Sequence, residues 1–248
     1  MSAGAAEPVR IAMWSGPRNI STAMMRAWEN RDDCVVVDEP FYACYLHATD
    51  IAHPMREAVL ASQPHDWQAV IEALTAPLPP GIAVQYQKHM THHMVVPLDA
   101  AWLGTVRHAF LIRDPVEIVA SYARKRESVA VEDLGLLQEV DIYRQVRAAT
   151  GQAPPVIEAA DVLRRPEAAL RALCEALGVP FSPKMLRWPP GLRASDGVWA
   201  PHWYDSVARS TGFEPYRRAA LELPEPLAAV AEACRPHYEH LRALKLHI

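Results

Sequence analysis

Val9-Arg10-Ile11-Ala12-Met13-Trp14-Ser15-Gly16-Pro17-Arg18-Asn19-Ile20-Ser21-Thr22 is an apolar run that empties into a polar turn and then into a helical pattern. Such a stretch reads as strand, turn, helix. The turn aims the unpaired N–H groups of the first helical residues at whatever lies beyond the strand, which makes a seat for a phosphate-like anion. The motif returns further on as Phe110-Leu111-Ile112-Arg113-Asp114-Pro115, with Ser121 eight positions beyond Arg113. Two such seats imply a ligand that is anionic at both ends.

Outward from these stretches, short β-rich runs alternate with longer helical patterns, which argues for βαβ units around a parallel sheet. Strands are expected at Val9–Trp14, Cys34–Asp38, Ile82–Gln87, His108–Ile112 and Pro155–Glu158. Helices are expected at Ile20–Asn30, Asp66–Leu74, Pro115–Arg126, Leu134–Ala149 and Pro166–Leu177, the last closed by Gly178. Pro77-Leu78-Pro79-Pro80-Gly81 and Ala153-Pro154-Pro155 read as surface connections within one α/β domain, 1–248. From about residue 182 the pattern loosens into a Trp-, Pro- and Gly-rich loop running to Phe213, a length that points to a lid or binding loop. An amphipathic tail follows, Leu227–Leu244, with a kink expected at Pro236.

The totals narrow the function. A chain of 248 residues that is 50% hydrophobic can bury a sheet and is not globally disordered. Its net charge of −4 argues against nucleic-acid binding through a general positive field. Only four of its 25 basic residues are lysine, a bias that suits oxyanion recognition by guanidinium and that GC-rich coding would equally produce. Cys34, Cys44, Cys174 and Cys234 show no metal-ligand spacing, and Cys34 and Cys174 sit in apolar runs. Ser2–Pro8 is too short and polar for a signal peptide, and no apolar run reaches membrane-spanning length, so a soluble cytoplasmic protein is expected, with no membrane partner.

In the first anion site, an oxyanion would accept N–H bonds from the helix start, with Arg18 adding a charge-assisted contact and Ser21 and Thr22 adding hydroxyls. A capped helix start with a surface arginine is the plainer alternative. A nucleotide-hydrolysing loop, G-x-x-x-x-G-K-[ST], is not matched: counted from Gly16, Ser21 stands at the second Gly and Thr22 at the Lys. Pro17-Arg18-Asn19-Ile20-Ser21-Thr22 instead resembles the P-[KR]-S-G-[ST]-T loop of sulfotransferases that use 3′-phosphoadenosine-5′-phosphosulfate (PAPS). Asn19-Ile20 replaces Ser-Gly, and because Ile resists positive φ the loop is expected to turn differently here.

Arg113 with Ser121 is similar to that family's 3′-phosphate pair in residue type and spacing, although Arg113 could equally pair with Asp114. Arg124, Lys125 and Arg126 read as a solvated basic face. Val156–Pro166 and Leu173–Pro180 resemble the family's strand–"YEDL…DP"–helix–"LGLP" segment, extending the likeness across about residues 8–182. Ser210-Thr211-Gly212-Phe213, after Trp199 and Trp203, is similar to the closing loop near the nucleotide; the Gly-rich loop of the cytosolic enzymes is not recognisable. The resemblance implies a three-layer sandwich with a central parallel sheet, the P-loop NTPase-like sulfotransferase fold. It also implies PAPS as donor, bound by Gly16, Pro17, Arg18, Asn19, Ser21, Thr22, Arg113 and Ser121, and a small-molecule acceptor.

Sulfuryl transfer needs a base at the acceptor and charge stabilisation at the leaving phosphate. Glu39, after the second strand where several sulfotransferases with the P-R loop place a catalytic Glu, is the base that the resemblance implies, with Arg18 at the leaving group. His89, in Gln87-Lys88-His89, resembles the Lys-Thr-His segment of the cytosolic enzymes, with Lys88 displaced by one, and is expected as a pocket acid, base or hydrogen-bond partner. Each also has a plain structural reading, as an arginine partner or a core histidine. No metal is expected: His92 and His93 are adjacent and lack a supporting carboxylate. Phe41, Tyr42, Tyr45, Trp199, His202, Trp203 and Tyr204 could line the acceptor site or simply pack their loops. The rival readings are a small-molecule or nucleotide kinase with a degenerate loop, and a non-catalytic nucleotide-binding module of the same fold.

Overall fold

A computed structural model describes residues 7–248 except 52, 125, 127 and 218–221. Lys125 and most of Ser2–Pro8 therefore lie outside the described residues. Five strands form, β1 (Val9–Ser15), β2 (Cys34–Asp38), β3 (Val84–Met90), β4 (Arg107–Ile112) and β5 (Val156–Glu158), in one sheet. Its order is β2-β3-β1-β4-β5 and every pairing is parallel.

Because β1 is central and its side chains alternate, it feeds both cores. Ile11 and Met13 join the layer of Met24, Trp28 and Tyr86, while Ala12 and Trp14 join that of Phe41, Trp102 and Phe110. Helices cover both faces: α1 (Ser21–Glu29), α2 (Tyr42–Thr49), α3 (Arg56–Ser62), α4 (Trp67–Thr75), α5 (Ala100–Leu103), α6 (Pro115–Tyr122), α7 (Leu136–Thr150), α8 (Ala159–Arg164), α9 (Pro166–Ala176), α10 (Ala200–Trp203), α11 (Asp205–Arg209) and α12 (Glu225–Arg242). This is the expected α/β architecture, with β1 at the point where the connections switch from one side of the sheet to the other. Ligands of open parallel sheets bind outside the carboxyl ends of the strands at such a point.

Three expectations are corrected. β3 runs past Gln87 to Met90, since Lys88, His89 and Met90 are buried within the sheet rather than marking its end. α6 stops at Tyr122, short of Arg126. The 182–213 segment is not structureless: it holds a 3₁₀ turn at Pro183–Leu186 and the short helices α10 and α11. Trp188, Trp199 and Tyr204 are buried and anchor it to the body. The salt bridge from Arg26, itself fully buried, to Asp196 does the same.

The tail is helical as read, and α12 continues through Pro236. The four cysteines are free and buried. No helix among the described residues is long and apolar enough to cross a membrane.

Candidate functional site

A cavity of about 390 Å³ opens at the carboxyl ends of the strands. It is lined on one side by Pro17–Thr22, Arg113 and Ser121, and on the other by Glu39, Tyr42, Lys88 and Tyr204. The two stretches that the sequence places far apart are bonded together there. Arg18 Nε donates to Ser121 Oγ at 3.0 Å, and Arg113 donates to the Arg18 carbonyl at 2.7 Å. A second nitrogen of Arg113 is held by Glu117 at 2.8 Å, while Asp114 caps α6 by accepting from Val116 N–H. Arg113 thus braces the first loop and pairs with Glu117 rather than with Asp114.

The loop itself is strained. Arg18 (φ 59°) and Ile20 (φ 48°, ψ 15°) both lie in the left-handed region. Ile20 therefore takes the backbone conformation for which glycine is suited, contrary to the expectation that it would force a different turn. A β-branched residue there costs about 1–2 kcal/mol. Partial burial of its side chain against the core offsets the cost. Asn19 is buried and donates to the Leu111 carbonyl, so it ties the loop to β4. Gly16 is beneath the loop, off the cavity, where an added Cβ would overlap the Leu134 carbonyl oxygen.

The start of α1 carries no side-chain cap and no acidic residue in its first turn, so no side chain of the helix itself satisfies its first N–H groups. Burial, and then the neighbouring cations Arg124 and Arg113, lower the pKa of the Arg18 guanidinium. Burial is the larger cause, and the two neighbouring cations add to it.

Across the cavity, Glu39 adopts φ 44° immediately before Pro40, a second strained position at the end of a strand. Its N–H donates to the Lys88 carbonyl, extending the β2–β3 ladder by one residue. Its Oε1 accepts from Lys88 Nζ at 2.5 Å. Lys88 is 1% exposed and also donates to Asp38 (2.9 Å) and to the Tyr204 hydroxyl (2.7 Å). Tyr204 donates to Asp38 at 2.7 Å and accepts from Trp199 at 3.0 Å. Burial raises the Glu39 carboxyl, against the pull of Lys88. For Lys88 itself burial would lower the pKa, but Asp38 and Glu39 outweigh it and hold the ammonium up.

His89 is not at the cavity. Successive side chains of a strand point to opposite faces, so Lys88 faces the cavity and His89 the opposite core. There His89 stacks on Trp14 (4.5 Å between centroids) and bonds Gln87 at 3.1 Å. Burial drops its pKa to about 3, which keeps it neutral. The histidines that do line the cavity are His53, His92 and His93; of these His93 is nearest Glu39, stacked on Tyr42 at 4.4 Å with Nε2 3.9 Å from Glu39 Oε2. Of the aromatic candidates, Tyr42, Trp203 and Tyr204 line the cavity, whereas Phe41, Tyr45, Trp199 and His202 do not.

Sequence reading missed Asp38, His93 and the hub at Lys88. The signal was present in β3, Val-Gln-Tyr-Gln-Lys-His-Met, a buried parallel strand that ought to be almost wholly apolar. No group of three or more potential metal ligands occurs among the described residues.

Residues 9–243 match the family model described as "Sulfotransferase domain". The chain belongs to the sulfotransferase family. The fold is that of a sulfotransferase from Alicyclobacillus acidocaldarius, with TM-score 0.59 at 14% identity, covering 97% of this chain and 96% of that one. Sulfotransferase STF9 from Mycobacterium avium matches with TM-score 0.51 at 13% identity, over 98% of this chain and 79% of that one. Two Arabidopsis thaliana proteins are closer in sequence. "Branched-chain-amino-acid aminotransferase-like protein 1" is 36% identical over 242 residues, 98% of this chain and 43% of its own length. The "like protein 2" is 33% identical over 237 residues, 96% of this chain and 42% of its own length. The chain thus spans less than half the length of these curated relatives.

Proposed function

We propose that this sulfotransferase-family chain moves a sulfuryl group from PAPS to a hydroxyl or amine of a small-molecule acceptor. The observation that carries the reading is the junction of Arg18, Ser121 and Arg113 at one end of a cavity whose other end presents Glu39. In this reading the 5′-phosphosulfate lies on the uncapped start of α1, with Arg18, Ser21 and Thr22 around it. The 3′-phosphate lies toward Arg113 and Ser121, Arg113 being held ready by Glu117.

Charge that develops on the leaving phosphate is met by Arg18 and the α1 N–H groups, dipoles already fixed before reaction. Glu39 takes the acceptor's proton. Lys88 is not available to the leaving group, because its three donors are taken by Asp38, Glu39 and Tyr204. That occupation, with Thr22 where a kinase loop would carry lysine, weighs against the kinase alternative.

The test is sulfuryl transfer from ³⁵S-labelled PAPS to a panel of phenols, aliphatic alcohols and amines. Label should pass to at least one class, and Glu39→Gln should lower kcat by about 10²–10⁴-fold while PAPS still binds. Tight nucleotide binding with no transfer to any class would leave a non-catalytic module.

A further inference from the structure

Glu39 is an unusual candidate for a base, because a lysine ammonium sits 2.5 Å from it. An unshared ion pair of that kind stabilises the carboxylate and makes it a poor proton acceptor. Here the ammonium is shared. Asp38, buried beside Glu39 at the end of β2, takes a second Lys88 donor, and the Tyr204 hydroxyl takes the third.

Tyr204 is in turn fixed from three directions. It donates to Asp38, accepts from Trp199, and accepts from Lys88. Gly197 N–H closes the remaining side of Asp38 at 3.1 Å, with Trp199 occupying the space where a Gly197 side chain would stand. The hydrogen bonds given to the Glu39 side chain among the described residues end on Oε1; Oε2 is 3.9 Å from His93 Nε2, and both residues line the cavity.

We propose that Asp38 and Tyr204 are positioning residues for the proton transfer: they hold Lys88 in a seat shared between two carboxylates, so that Glu39 Oε2 stays free to receive the acceptor's proton. The inference rests on the proposed transfer reaction. In that reaction the acceptor oxygen or nitrogen forms its bond to sulfur as the bond from sulfur to the bridging phosphate oxygen breaks. The bonding pair leaves on the 5′-phosphate, and the acceptor's proton goes to Glu39, then to water. The segment after Trp188 supplies Gly197, Trp199 and Tyr204, so its docking is part of preparing the base.

The groups that face Glu39 are Lys88 from β3, Asp38 from β2, Tyr204 beside α10, His93 from the 3₁₀ turn after β3, and Tyr42 from α2. Tyr42 is held un-ionised by burial, and His93 is held neutral by burial and by the neighbouring cationic groups. Asp38 and Lys88 are thus the charges that distinguish one Glu39 environment from another. Removing the Asp38 charge gives the whole of Lys88 to Glu39, and its titration should move to lower pH.

The measurement needs no acceptor. The whole chain is labelled with [5-¹³C]glutamate and its carboxyl shifts are followed against pH, with the Glu39 signal assigned by its loss in Glu39→Gln. In Asp38→Asn the Glu39 midpoint should fall by about one pH unit or more, with 3′-phosphoadenosine-5′-phosphate (PAP) affinity unchanged. A folded Asp38→Asn whose Glu39 midpoint stays at the wild-type value overturns the proposal. Tyr204→Phe keeps every charge and guards against misfolding of the first variant. It should displace the Glu39 midpoint while the variant still unfolds cooperatively, at a lowered melting temperature, and PAP affinity holds; an unmoved midpoint there also contradicts the role. Failure of the transfer reading appears elsewhere, as retained turnover in Glu39→Gln or loss of preference for the 3′-phosphate.

Discussion

Ile20 shows how much a single residue can tolerate where the loop after β1 must turn. Its left-handed backbone is unfavourable for a β-branched side chain, yet half-buried packing holds it in place. Ile20→Gly should therefore leave unfolding free energy within about 1 kcal/mol of the parent in a denaturant titration, since relieved strain offsets lost packing and added chain entropy. A loss above ~3 kcal/mol would mean that the turn is not strained.

At the same scale, His89 is a pH-dependent stability element. Its folded pKa of about 3 lies well below the ordinary value, so the unfolded chain binds the proton first as pH falls. Its stabilising contribution is complete above about pH 6.5 and declines as pH falls toward 3, by up to ~1.4 kcal/mol per pH unit. His89→Gln should flatten the acid limb of stability against pH, and an unaltered slope would show that His89 is protonated in the fold.

Among the elements, the first loop depends on what lies under it. Gly16 has no room for a methyl group because the Leu134 carbonyl, just before α7, fills that space. Backbone cannot yield as a flexible side chain can, so Gly16→Ala should cost about 1–3 kcal/mol and weaken nucleotide binding through displacement of the loop. Equal Tm and affinity in that variant would contradict the close approach. Asp114 makes the N-cap of α6, the helix that carries Ser121. Asp114→Ala should cost about 1 kcal/mol, read by thermal unfolding, with a smaller effect on chemistry than Arg113→Ala.

The elements were legible in unequal measure. β2 was read with its observed ends, and β1, β4, β5 and α9 to within a residue, because apolar runs and Pro or Gly punctuation agree there. β3 was misjudged at its polar end, since burial of Gln85, Gln87, Lys88 and His89 is decided by tertiary neighbours that periodicity does not see. The short helices α2, α3, α5 and α8 were missed because so few turns give little pattern. Arg113 with Ser121 was legible as a pair through spacing. The Asp38–Lys88–Tyr204 constellation was not, since it joins two strand ends to a segment more than a hundred residues away in sequence.

Across the whole molecule, the sheet order places the ends of β1 and β4 side by side, and this alone brings Arg18 and Arg113 to one cavity. The same topology sets β2 beside β3, which brings Glu39 to Lys88. The fold thus opposes a cationic wall to an acidic one at the single edge where the strands end. The proposed binding of a bisphosphorylated nucleotide by fixed groups along that edge would require no net positive charge, in keeping with the overall −4.

The most direct test of that architecture is calorimetric titration with PAP, with AMP and ATP as controls, for the parent chain and for Arg113→Ala. Binding at micromolar concentration or tighter that requires the 3′-phosphate, and that weakens at least tenfold in Arg113→Ala, about 1.4 kcal/mol or more, is the result predicted. Equal affinity for PAP and AMP, or preference for ATP with magnesium, would contradict it.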